Sequence, residues 1–208
     1  MCLGACRYGE HQHISPVAVV AADTLFIQPF YPASAQWTAH DAAELRAFYH
    51  VPVVVLPSIR IYDTACAASG RYSADILLHC LSSIQRARGH KILGLTTYDI
   101  FTRKNNIAEW GIFGLGRCPG DQCIVSDFRL RKFKGKTQEF VTNVVLHEIG
   151  HNYGLPHCSH DNRCLMNDAK GTIATLYREQ KWLCPHCLQK LVAMLRIPGD
   201  MQLALYEK

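Results

Sequence analysis

Apolar residues along this chain follow two rhythms, one suited to strands and one to helices. Runs rich in β-branched side chains at Val17–Ile27 and Val51–Leu56 are too short for ordinary helices and predict strands. Between them, Thr38–His50 predicts a helix, with Thr38 as N-cap and Asp41 and Glu44 in the early turns, where the helix dipole favours negative charge. A second helix is expected from an N-cap at Ser73 to about Arg88, stopped by Gly89. Ile76, Leu77, Cys80, Leu81 and Ile84 share its helical spacing, which puts Cys80 in the core rather than on a metal. A strand at Lys91–Thr96 follows, then strands at Trp110–Leu115 and Gln122–Phe128 joined by a turn at Pro119-Gly120-Asp121. Thr137–Asn152 reads as a third helix, with Phe140, Val144, Val145 and Ile149 among its apolar positions. Strands alternating with helices predict a mixed, largely parallel sheet.

Composition narrows this picture. With 208 residues, 49% apolar and 19% charged, the chain can bury a substantial core, and no repeat or low-complexity tract divides it. A single domain spanning 1–208 is the expectation. Ten cysteines, about 5% of the chain, fall short of the roughly 8–10% of small disulfide scaffolds. No run reaches the roughly 18 apolar residues of a membrane-spanning helix. Leu3-Gly4-Ala5-Cys6 resembles a lipoprotein cleavage box but lacks the charged and apolar segments that should precede it, so a cytoplasmic location is expected. There, clustered Cys and His point to metal or catalysis more often than to disulfides. A net charge of +5 leans only weakly toward acidic partners. Five of the eight residues from Arg129 to Lys136 are basic, and without an aromatic array they read as a solvated loop rather than a nucleic-acid surface.

The third helix carries the central signal, His147-Glu148-Ile149-Gly150-His151. Histidines four residues apart lie one turn apart on one helix face, so both imidazoles reach a single ion. The pattern extends through Gly154 to His157, and the chance of five such fixed positions at this composition is on the order of 10⁻⁴. Gly154 can take a positive φ, ending the helix and turning His157 back to the same ion, and Pro156 keeps the helix from resuming. Three neutral imidazoles leave one corner of a tetrahedral zinc site open for water, and Glu148 is placed to take that water's proton. Cys184-Pro185-His186-Cys187 has the spacing of a structural zinc site, which Cys158 and Cys164 would complete. Core thiols or a disulfide remain alternatives for Cys158 and Cys164, and His160 or His186 as a substitute for one sulfur.

Taken together, the run from His147 to His157, followed by Cys158, Cys164-Leu165-Met166, seventeen residues and Cys184-x-x-Cys187, resembles the signature of the archaemetzincins, zinc metallopeptidases of the metzincin clan. Arg71–Ala74, Gly94–Phe101 and Gly111–Gly116 are also similar to that family, so the resemblance covers Arg71 to Cys187. It implies an α+β fold: a metzincin-like twisted mixed β-sheet packed with helices, an active-site helix, and a small zinc-braced C-terminal lobe. The lobes would divide at 1–153 and 154–208. It also implies His147, His151 and His157 as catalytic zinc ligands, Glu148 as general base, Cys158, Cys164, Cys184 and Cys187 around a structural zinc, and Met166 as the methionine beneath the catalytic zinc. One departure is that five residues separate Cys158 from Cys164 where the family has four, which predicts a loop insertion at Ser159–Arg163.

The function expected is a zinc-dependent metallopeptidase that hydrolyses peptide bonds through zinc-activated water. Two zinc ions per chain, a peptide or protein substrate and a monomer are expected, with no membrane partner. Asn106–Leu115 is the candidate edge strand for binding extended peptide by main-chain pairing. Two alternatives are a zinc-stabilised binding module, and a latent peptidase in which Cys2 or Cys6 occupies the open zinc position.

Overall fold

The computed structural model describes residues 24–84, 90–168 and 172–195. Its elements in chain order are strand β1 (Leu25–Tyr31), helix α1 (Ala35–Tyr49), strands β2 (Val53–Val55), β3 (Ile59–Arg60) and β4 (Tyr72–Ser73), and helix α2 (Ala74–Ile84). Strands β5 (Lys91–Thr96), β6 (Ile100–Lys104), β7 (Ile107–Ile112), β8 (Gly114–Gly116) and β9 (Gln122–Ser126) follow, then helices α3 (Thr137–Asn152), α4 (Ile173–Arg178) and α5 (Pro185–Leu195). The main sheet has the order β2-β1-β5-β9-β8, with β3 paired to β1. All its pairs are parallel except β8 with β9, so the mixed, largely parallel sheet is as expected. A smaller sheet, β4-β6-β7, ends on the β6–β7 hairpin.

Side chains alternating across the pleat build two cores. Leu25, Ile27, Leu93, Leu95, Cys123 and Val125 face α1 and α3, whereas Phe30, Ile92 and Ile124 face α2. Helices on both faces explain why these strands are almost continuously apolar. The first core continues into Leu165, Met166, Leu183, Leu188 and Leu191, so the C-terminal segment packs on the same interior as α3.

Several boundaries differ from the sequence reading. The first strand, expected at Val17–Ile27, runs instead to Tyr31, and residues 17–23 lie outside the described residues. Pro29 is tolerated there because it falls in the gap between β2, which ends opposite Ile27, and β3, which begins opposite Phe30. Helix α1 is capped by Ser34, whose hydroxyl accepts from the Trp37 N–H at 3.3 Å, and Thr38 is buried within the first turn. Ser73 does cap α2, accepting from the Ile76 N–H. Ile76 itself points outward, 41% exposed, because Ala74, Leu77, Leu78 and Leu81 form the buried face. Arg86, Arg88 and Gly89 lie outside the described residues, as do Cys2, Cys6 and the Leu3–Cys6 box. Trp110–Leu115 is not one strand: the chain leaves the small sheet after Ile112 and joins the main sheet at Gly114. The last strand stops at Ser126, whose side chain donates to the Tyr98 carbonyl at 2.6 Å and accepts from the Phe128 N–H at 3.1 Å.

Most of the basic run is the solvated loop that composition predicts, with Arg131, Lys132, Lys134 and Lys136 exposed, while Arg129 is drawn inward. Arg129 pairs with Asp99 at 2.7 Å, Arg131 with Asp127 at 2.7 Å and Lys136 with Glu139 at 2.7 Å. Asp99 also holds Arg71 at 2.9 Å, and the Arg129 guanidinium lies where a Cβ on Gly111 would be. This clamp ties β7 to the loop leading into α3. Among the described residues no helix is long and apolar enough to cross a membrane.

Asp41, between α1 and α3, is buried and accepts hydrogen bonds from Thr142 at 2.7 Å and Gln138 at 3.2 Å. Burial outweighs those bonds and raises its pKa from 3.8 to about 7. The folded state therefore holds this proton more tightly than the unfolded chain. The contribution is present in full below pH 3.8 and is lost as pH rises to about 7. Asp41→Asn, which keeps the accepting oxygen, should gain about 1–3 kcal/mol over the parent between roughly pH 5 and pH 8. Calorimetric melting of both proteins across that range checks this; a difference that does not grow with pH overturns it.

Candidate metal centre

Helix α3 is largely buried, and its last turns carry the histidines. His147 and His151 are one turn apart, with ring centroids 4.6 Å apart. The helix then ends as the spacing predicts. Gly154 has φ +84°, its N–H bonds to the His151 carbonyl at 2.8 Å, and the Leu155 N–H reaches back to the Gly150 carbonyl at 3.0 Å. That pair of bonds is a Schellman stop, and it reverses the chain so that His157 faces His151, Nε2 to Nε2 at 3.2 Å.

The backbone fixes how two of the rings present themselves. His147 Nδ1 lies 2.7 Å from the Leu165 carbonyl, and His151 Nδ1 lies 2.7 Å from the Leu155 carbonyl. A carbonyl only accepts, so each Nδ1 carries the proton and each Nε2 keeps its lone pair for the shared centre. Burial lowers the pKa of His147 to about 3 and also lowers that of His151, holding both rings neutral. His157 is more exposed, with the Asp168 carboxylate 3.9 Å from its Nδ1. Ligand atoms of His147, His151 and His157 all lie within 4.8 Å of one another. Neutral imidazoles with converging lone pairs are a donor set that zinc fits.

Glu148 is buried beside them, 8% exposed. Desolvation raises its pKa to about 8, against a hydrogen bond from the Gly116 backbone that lowers it. Its surroundings are shaped by glycines that sequence reasoning did not single out for this role. A Cβ at Gly114 would lie 2.7 Å from Glu148 Cγ, and one at Gly116 would lie 2.8 Å from the Glu148 carbonyl oxygen. The signal was present in the sequence: glycines two apart in a strand leave one face bare. Asn152 keeps the β8–β9 hairpin against α3, donating to the carbonyls of Arg117 and Gln122, both at 3.0 Å.

Met166 is fully buried beneath α3, where a Cβ at Gly150 would lie 2.5 Å from its sulfur. The four sequence-selected cysteines, Cys158, Cys164, Cys184 and Cys187, have sulfurs within 4.8 Å of one another. The Cys158 and Cys184 sulfurs are 3.6 Å apart. Two thiolates at 2.3 Å from one tetrahedral ion would be about 3.8 Å apart, so the cluster fits a structural zinc. Backbone N–H groups of His160 and Cys184 point at the sulfurs of Cys158 and Cys164, both at 3.4 Å. A hydrogen bond from Cys187 is the main cause that lowers the Cys164 pKa to about 5, while Cys187 is raised. His160 and His186 lie against each other in a tilted contact, ring centroids 4.1 Å apart, and neither belongs to the sulfur cluster. The loop Ser159–Arg163 joins Cys158 to Cys164 with both sulfurs in the one cluster.

The three histidines and Glu148 open onto a cleft of about 1090 Å³. One wall is the stretch from β7 to β8, each the terminal strand of its sheet, so the segment expected to be an edge does lie at one. A family model described as peptidase family M54 matches residues 51–193. The chain belongs to peptidase family M54. The archaemetzincin of Halobacterium salinarum is 30% identical over 157 residues, covering 70% of this chain and 86% of its own. That of Haloquadratum walsbyi is 30% identical over 172 residues, covering 77% and 95%. The crystal structure of archaemetzincin from Archaeoglobus fulgidus, complexed with malonate, matches with TM-score 0.68 at 27% identity, over 80% of this chain and 99% of that one. The structure from Methanopyrus kandleri matches with TM-score 0.70 at 24% identity, over 85% and 98%, a likeness of fold. Membership in M54 makes this chain a zinc metallopeptidase, with the mixed α/β architecture of the archaemetzincins.

In this M54 member, Gly116→Ala should push Glu148 aside without touching a histidine. Peptidase activity should fall about 100-fold, the cost of roughly 1 Å of misplacement. Elemental analysis should find the zinc content unchanged; lost zinc or full activity would contradict the packing argument.

Proposed function

We propose that this chain hydrolyses peptide bonds with zinc held by His147, His151 and His157 and with Glu148 as general base. The observation that carries this reading is the convergence of three imidazoles on the floor of an open cleft, with a buried carboxyl on the adjacent helix position. Zinc bound by three imidazoles supplies Lewis acidity and brings the pKa of water from 15.7 to about 7. The remaining work falls to this chain's own groups. Glu148 takes a proton as the water oxygen bonds to the scissile carbonyl carbon. It returns that proton to the amine nitrogen as the C–N bond breaks. Burial raises the basicity of the Glu148 carboxyl above that of an exposed carboxylate, which suits it to take and return this proton. The free edge from β7 to β8 receives the extended substrate by main-chain hydrogen bonds.

Cys158, Cys164, Cys184 and Cys187 hold a second, structural zinc, and Met166 is the apolar floor under the histidines. The lobes 1–153 and 154–208 act as one domain, a reading supported by the core shared between α3 and the segment around Leu165–Val192. A reducing, cytoplasmic setting suits the cysteines, since the eight described ones are all free thiols.

Two measurements test this. Glu148→Gln should lower kcat by about 10²–10⁴-fold on every peptide the parent cleaves, with zinc retained; full activity would remove Glu148 from the chemistry. The zinc-loaded chain should carry two zinc ions by elemental analysis. A chelator such as 1,10-phenanthroline should strip one together with activity, while the thiolate-held ion stays until the protein unfolds. A single zinc in the active protein would refute the two-site assignment.

A further inference from the structure

Glu179 is the residue in the cleft that the chemistry above leaves unused. It follows helix α4 directly, lines the same cleft as His147, and is 8% exposed. Its carboxylate makes no hydrogen bond or ion pair among the described residues; the only favourable charge acting on it is that of Arg178 at a distance. Burial pushes its pKa up to about 8, the mark of a carboxyl set without compensation. The other buried acids, Asp41 and Glu148, each accept a hydrogen bond, so among the described residues Glu179 is the buried acid that the fold leaves without one, at the wall of the cleft.

The neighbouring walls supply one. Ile173 and Leu176 lie three residues apart on α4, and Glu179 continues that spacing at its end. Val144 and His147 line the cleft from α3 at the same interval, and Phe133 lies beside them. Leu176 and Val144 are buried, and Ile173 and Phe133 pack against the core. A cleft whose walls carry Ile173, Leu176, Val144 and Phe133 together with the Glu179 carboxyl fits a long methylene stem with a cationic tip, the shape of lysine and arginine side chains.

We propose that Glu179 is a specificity-determining residue that makes this cleft select peptides with a lysine or arginine at one position adjoining the scissile bond. The inference rests on the metallopeptidase reading and adds the substrate class to it. Glu179 does not touch the reacting atoms; it holds the side chain that fixes the peptide's register. Charge pairing in a water-poor pocket gives the discrimination, because a neutral guest would leave the carboxylate buried and unpaired.

The test begins with the zinc-loaded full chain digesting a peptide library, with cleavage sites read by mass spectrometry. Lysine and arginine should be enriched at one fixed position beside the cut. For peptide pairs differing only by lysine or norleucine there, Glu179→Gln should lower the kcat/KM ratio about 30-fold or more while leaving the norleucine peptide within about 3-fold. Glu179→Asp, which keeps the charge, should retain the lysine preference in part. Absence of basic enrichment in the parent, or an unchanged ratio in Glu179→Gln, overturns the proposal. Calorimetric titration with butylguanidinium, against its neutral isostere butylurea, is independent of turnover. The parent should bind only the cation, and Glu179→Gln neither. If no peptide is cleaved, the catalytic reading fails by itself, and this titration still decides the pocket.

Discussion

His157 and Cys158 are neighbours in the chain but belong to different clusters, and the rest of the site depends on that adjacency. The last histidine ring and the first cysteine sulfur are separated by one peptide bond, so neither cluster can move without dragging the other. The link is doubled from the opposite side. Cys164 enters the sulfur cluster, the Leu165 carbonyl orients His147, and Met166 fills the floor under α3, all within three consecutive residues. The Cys158 N–H donates to the Met166 carbonyl at 2.7 Å and closes the two strands of this connection. A rigid sulfur cluster thus serves as the anchor for imidazoles that helix α3 alone cannot fix, because α3 ends at Asn152 and supplies only two of them. Backbone partners of this kind fix the orientation of imidazole rings.

Glu148 depends on a second constraint, the approach of β8 to the helix. An antiparallel strand one residue wider would occupy the carboxyl's space, and only glycine at both Gly114 and Gly116 leaves it free. The same two residues belong to β8, the last strand of the main sheet among the described residues, so the bare face that receives Glu148 belongs to a strand at the sheet's end. The carboxyl and the edge that walls the cleft are in this way set by one short strand. Asp99 extends the arrangement outward: by holding Arg71 and Arg129 together it fixes the β6–β7 hairpin above the cleft.

How much of this could be read in the sequence follows from how locally each feature is determined. Helix α3 was legible to the residue, and so were the histidine convergence and the Gly154 stop, because 3.6-residue spacing and a positive φ are properties of adjacent residues. The strand Lys91–Thr96 was equally plain, being apolar from Ile92 to Leu95 and buried on both faces. Misreadings came where tertiary pairing sets the limits. The first strand was expected to end at Ile27, yet it runs on through Pro29, which lies where two partner strands leave a gap. Trp110–Leu115 looked continuous, yet divides between two sheets at Phe113. Arg129 looked solvated because its partner Asp99 is thirty residues away. Glu179 carried no local signal at all, since its burial depends on the fold around α4.

The longer Cys158–Cys164 spacing shows how firmly the sulfur cluster governs its own loop. Its two ends are fixed, Cys158 by the bridge to Asn167 and Cys164 by its place among the sulfurs. A loop with fixed ends gains an extra residue at little entropic cost, provided its backbone groups find partners. Asp161 supplies them: its carbonyl accepts from the Cys164 N–H at 3.2 Å and the Asn167 side chain at 3.3 Å, and its carboxylate accepts from the Arg163 N–H at 2.8 Å. The bulge is therefore turned outward around Asp161, where Asp161 and Arg163 pair at 3.1 Å on the surface. Inward displacement would have moved Cys164 and, through Leu165, the ring of His147. A loop that turns outward leaves both in place, so the five residues between Cys158 and Cys164 reach the surface without disturbing the sulfur cluster or the His147 ring.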